Sequence, residues 1–137
     1  MRRTALLGGL VGLFLGGALL TVARAAPGPR IATVGNLMRG INGPNCGALA
    51  KELKGEFNDA TKKSMLQHAA MLNEAGHLLM ENKRCPDAVW AGACKALRDN
   101  SAIISEKVKA GDQAGAQTAF KALTSQGCGA CHKAHRK

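Results

Sequence analysis

From residue 59 onward, apolar side chains recur every three or four positions, and that spacing decides what this chain can fold into. Met65, Ala69, Leu72, Ala75 with Gly76, and Leu79 fall on one helical face. So do Val89, Ala93, Leu97, Ile104 and Val108, and again Ala116, Phe120, Leu123 and Gly127. No window of four or more residues alternates in the strand manner between hairpin turns. Upstream, Ile31, Val34, Leu37, Met38 and Ile41 form a shorter stripe, which Gly40, Gly43 and Pro44 should interrupt before a turn or two of helix resumes over 46–54. A second helix is expected over 59–82, with Lys83 and Arg84 suiting its negative end. Pro86 reads as a stop, Asp87 as the cap of a third helix, Gly111 as its end and Asp112 as the cap of a fourth. Four amphipathic helices on short links bury their stripes best side by side. The expected fold is all-α, an antiparallel four-helix bundle.

The first residues obey a different logic. Arg2 and Arg3 precede a near-continuous apolar run over 5–23, and Ala23-Arg24-Ala25 offers small residues around a cleavage point. This reads as a secretory signal peptide over 1–25, leaving one domain over 26–137; an uncleaved anchor is the competing reading, since the run could just span a bilayer. Glycines in the run favour cleavage, after which no membrane span is expected. The whole chain has 137 residues, too few for a multidomain enzyme, and carries 19 Lys and Arg against 9 Asp and Glu. The signal removes three arginines and no acid, so the exported domain stays basic. Export, together with the lack of an aromatic-rich basic stripe, argues against nucleic acid and for an acidic protein partner.

An oxidising, periplasmic destination favours disulfides, but five cysteines cannot all pair. Two of them lie in Cys128-Gly129-Ala130-Cys131-His132. Cys-x-x-Cys-His is the attachment sequence of a c-type haem. On a helix its two thiols and its imidazole share a face, so two thioether links and one axial iron ligand come from a single turn. A thiol–disulfide centre would normally open a helix after a strand, and here the pair closes one. A zinc site using His132 and His135 would space its ligand pairs around a loop. A plain structural disulfide is the third competing use. The expected cofactor is one covalent haem c on Cys128, Cys131 and His132.

An exported domain of four helices ending in GCGACHKAHR resembles a class II cytochrome c, the group of cytochrome c′ and its low-spin relatives. The likeness is carried by residues 99–136 and is looser over the first helix. It implies that Arg136, four residues after His132, lies close to the haem. It also implies a first helix covering the other haem face, where low-spin members place a methionine sulfur on the iron; Met38 stands where such a ligand belongs. Cytochromes c′ instead leave the iron five-coordinate. His68 and His77 are the other conceivable ligands, but they fall on opposite sides of the second helix.

Two functions follow. With His132 and Met38 on the iron, the protein is an electron carrier cycling Fe(III)/Fe(II), steered to its redox partner by Lys133, Arg136 and Lys137. With an open sixth position, it binds NO or CO. No paired acid and base suggests an enzyme. Cys46, Cys85 and Cys94 are unusual for this resemblance. Three pairings among them are open: Cys85 with Cys94 if the loop before Pro86 folds back, or Cys46 with Cys85 or Cys94, which would staple the first-helix region to the second connection. The odd thiol is then left for burial or for linking two subunits. A homodimer through the first two helices is compatible with the small residues Ala69, Ala70, Ala75 and Gly76.

Overall fold

The structure, a computed structural model, describes residues 30–136; the segment over 1–25 read as a signal peptide lies outside them, as does Lys137. The described residues form four helices and no strand. The first runs as α1 (Val34–Leu37), a π-helical segment (Met38–Asn42) and α2 (Gly43–Glu52). The second is α3 (Asp59–Leu78) and the third α4 (Ala88–Lys109). The fourth runs as α5 (Gln113–Ala122), a second π-helical segment (Leu123–Gly129) and α6 (Ala130–His135).

Gly40, Gly43 and Pro44 do not interrupt the first helix as expected. Pro44 has no N–H to donate and its ring would press on a carbonyl one turn back. The widened turn absorbs both defects: the Gly43 N–H donates to Met38 C=O, and Pro44 falls in the first turn of α2, where a missing donor costs little. A Cβ on Gly43 would come to 3.0 Å from that same carbonyl, so glycine suits the position. At the N-terminus, Thr33 and Asn36 cap α1 reciprocally. Ile31 stays outside the helix and exposed, so it leaves the expected stripe.

α3 starts from an Asn58–Thr61 capping box and stops at Leu78, short of the expected residue 82. Lys83 and Arg84 therefore do not lie on it. Asn82 and Lys83 take left-handed φ values, which turn the chain back so that Arg84 donates to Leu78 C=O at 2.9 Å and to Ala32 C=O at 2.8 Å. One guanidinium thus caps the second helix and anchors the start of the first. α4 opens on Asp87, whose carboxylate accepts from the Trp90 N–H at 2.9 Å. Val89 is half exposed, and Trp90 takes the inward place expected of it.

Met65, Ala69, Leu72, Ala75 and Leu79 of the second stripe are buried, and α3 packs on α4. Ile104, Val108, Ala116 and Leu123 complete a core that also takes in Leu49 and Leu53. Ala69, Ala75 and Gly76 are thus used within the chain, with Cys94 and Arg98 crowding Gly76, while Ala70 is exposed. At the end of the molecule near Leu53, Gln113 and Gln117 donate to Leu53 C=O at 3.0 and 2.6 Å, locking the fourth helix to the last carbonyls of the first.

Asp112 caps α5 through the Gly115 N–H at 2.8 Å and pairs with Lys107 at 2.9 Å. The Gly115 N–H first, and Lys107 next, hold its carboxyl below the ordinary carboxylate range. A depressed folded pKa contributes stability that is present above the unfolded value and fades as pH falls through the folded one. Asp112→Asn keeps a capping side chain but removes the titration. It should flatten the acid limb of a stability–pH curve below about pH 4, read by chemical denaturation at stepped pH. An unchanged acid limb would refute this.

Candidate functional site

Both widened turns open onto one cleft. Its volume is about 430 Å³, and its lining comes from all four helices: Met38, Asn42, Cys46 and Ala50 from the first, Leu79 at the end of α3, Ala93, Cys94 and Leu97 from α4, and Phe120, Thr124, Gly127, Cys128, Cys131 and His132 from the fourth. π-turns are frequent at functional sites because they re-aim side chains without ending the helix. Here one sits at Met38 and Asn42, the other at Cys128. A second cleft of about 530 Å³ shares Met38, Gly43, Cys131 and His132 with the first, and adds Arg39, Trp90, His135 and Arg136.

The structure therefore brings together Met38, Cys128, Cys131 and His132, residues separated by most of the chain. Met38 is half-buried and His132 exposed. Arg136, exposed and just past the end of α6, lines the adjoining cleft beside His132 and Met38. His68 and His77 do not line either cleft. His68 bonds Asn45 at 2.8 Å and lies 3.7 Å from Glu52, while His77 is exposed.

Three participants went unread in the sequence. Asn42 donates from Nδ2 to Met38 Sδ at 3.4 Å, and its Oδ1 is buried with no partner. Cys46 follows one turn later on the same face. The expected break over 40–44 hid that continuity. The third is Trp90, whose ring meets His135 edge-on at 5.4 Å and 72°. His135 Nε2 lies 3.4 Å from Asp87 Oδ1 without hydrogen-bond alignment, that oxygen already accepting from Trp90.

The cysteines correct the expected staple. All five are free thiols, and Cys46 faces Cys128 rather than Cys85 or Cys94. The hydrogen bond with Cys128 lowers the Cys46 thiol to about 7 against an opposing effect of burial, and the same bond pushes Cys128 up. Burial, then the nearby Cys131, raises Cys94 to about 11. Burial, then Asp87, raises Cys131. The two thiols of the motif thus have different neighbours, one by α2 and the other by α4.

The donor set suits a haem. Four thiols, those of Cys128 and Cys131 among them, an imidazole and a thioether line a mostly apolar cleft, within the usual volume range of ligand pockets. Among the described residues, no three His, Cys, Asp or Glu side chains gather to hold a bare metal ion. No described helix is long and apolar enough to cross a membrane. No family profile matches the chain, and neither a curated protein nor a solved structure shows significant similarity to it.

Proposed function

We propose that this protein is an exported mono-haem c-type cytochrome, an antiparallel four-helix bundle of the class II kind, that carries single electrons to an acidic partner. The observation that carries the reading is the shared cleft of Met38 from the first helix and Cys128, Cys131 and His132 from the fourth. A covalently held haem supplies a one-electron ferric/ferrous couple.

Each residue has a part in holding and tuning that group. Cys128 and Cys131 would be its thioether anchors and His132 its proximal ligand, all from one turn of helix. Met38 would supply a second iron ligand, a soft thioether that favours the reduced state. Asn42, donating to the Met38 sulfur, holds that side chain in the cleft. Leu97, Ala93 and Phe120 keep water from it and lower the local dielectric. Lys133 and Arg136, both exposed, place positive charge beside the site, where complementary charge speeds encounter with an acidic protein.

The test is a visible spectrum of the full chain, exported and matured with haem, taken oxidised, reduced, and reduced under CO. The expected result is a sharp low-spin ferrous spectrum that CO barely changes. A broad high-spin spectrum that shifts at once with CO would replace the electron carrier by a binder of NO or CO. No covalently retained haem would overturn both.

A further inference from the structure

Away from both clefts, a polar cluster sits where the first helix packs on α3. Asn45 and Glu52 lie two turns apart on α2, and Ser64 and His68 one turn apart on α3, so each pair shares a face. Asn45 Nδ2 donates to Ile41 C=O at 2.7 Å, which leaves its Oδ1 toward His68 Nδ1 at 2.8 Å. A carbonyl oxygen only accepts, so in the neutral ring Nδ1 carries the proton and Nε2 keeps a lone pair. Ser64 gives its one hydroxyl proton to Glu52 Oε1 at 2.7 Å. Nε2 therefore meets the Ser64 oxygen at 3.4 Å and Glu52 Oε1 at 3.7 Å with electron pairs on all three atoms. Glu52 Oε2 is buried with no hydrogen-bond partner, and no Lys or Arg among the described residues pairs with this carboxylate.

We infer that His68 Nε2, the Glu52 carboxylate and Ser64 Oγ bind a divalent cation of the zinc class, which clamps the first helix to α3. None of these residues lines either cleft, and the site stands independently of the haem reading.

The geometry suits the ion. The three contacts form a triangle whose centre lies about 2 Å from every corner, and zinc bonds to nitrogen and oxygen are ~2.0–2.2 Å long. An imidazole beside a carboxylate fits this borderline cation better than magnesium or calcium, which take all-oxygen shells. Asn45 supplies the outer hydrogen bond that fixes the ligating tautomer, as such partners do at most histidine metal sites. The cation also brings the charge that the buried Glu52 oxygen lacks. The His68 and Glu52 side chains are 22% and 23% exposed, which lets an ion enter and water complete its shell. With a hydroxyl as the third protein donor, binding should be reversible.

The test adds Zn(II) to the full chain, isotopically labelled in its histidine nitrogens and read by NMR. The His68 Nε2 resonance, assigned by its loss in His68→Gln, should move saturably. Zinc taken up by the cysteine motif moves other resonances and leaves this one in place. Asn45→Ala should weaken the His68 response about 10–100-fold, and Glu52→Gln at least as much, with helical circular dichroism preserved in both. Mg(II) should leave Nε2 unmoved. A His68 resonance that zinc does not shift overturns the site, even if it follows pH, since the cluster is then a proton-linked ion pair only. An equal response in Glu52→Gln overturns it as well, because histidine alone would then be the ligand.

Discussion

Trp90→Ala should cost about 3–5 kcal/mol of folding stability, a large share of the roughly 5–15 kcal/mol that holds a domain together. Trp90 is 6% exposed, and its ring sits where three helices meet. Its Nε1–H donates to Leu79 C=O at 2.9 Å, closing the end of α3, and its edge contacts His135 of α6. Removing it opens a cavity, strips a partner from a helix-terminal carbonyl and frees the turn that carries the Cys-x-x-Cys-His motif. Trp90→Phe keeps most of the volume and loses chiefly the hydrogen bond, so its cost should be nearer 1–2 kcal/mol, on the order of one such bond. Urea denaturation followed by circular dichroism reads both. A Trp90→Ala cost below about 1 kcal/mol would show that the three helices do not depend on this contact.

Trp90 also illustrates what the sequence could and could not tell. The stripes of α3, α4 and α5 were legible because a 3.6-residue period survives wherever one helix face is buried. The caps at Asp87 and Asp112 were legible because capping is local: each carboxylate reaches an N–H three residues on. The periodic template takes Val89 or its neighbour Trp90 equally well for the inward place. Only packing against Leu79 and His135 decides between them. The motif at residues 128–132 carried the site's chemistry in itself, since its spacing alone puts three donors on one face.

What depended on non-local contact stayed hidden. Glycines and a proline read as punctuation in isolation. In the folded chain Gly43 and Pro44 sit in a widened turn that keeps the first helix whole and carries Met38, Asn42 and Cys46 along the same cleft. That Cys46 and Cys128 share a cleft depends on how that helix lies against the fourth, which no spacing between cysteines encodes. Arg84 reads as a charge at a helix end. Its actual task, reaching back to Leu78 and across to Ala32, needs the two left-handed residues before it.

Met38→Ala should convert the haem-loaded protein from low-spin to high-spin and let reduced iron take up CO. Its reduction potential should fall by on the order of 100 mV, a modest part of the ~0.8 V that axial ligands command. The direction follows from softness: a thioether sulfur stabilises ferrous iron, and alanine leaves the position to water or to nothing. Asn42→Ala separates ligation from its support. The Nδ2 donor draws electron density from the Met38 sulfur, so its removal should leave the low-spin spectrum intact while lowering the potential by roughly 20–40 mV, the one-electron equivalent of a hydrogen bond worth about 0.5–1 kcal/mol. Spectra and redox titrations of the two variants then form a graded pair, one losing the ligand and the other only its orientation. If Met38→Ala changes neither spectrum nor potential, the sulfur is packing in the cleft wall. Electron transfer through a six-coordinate iron would then lose its chief structural support.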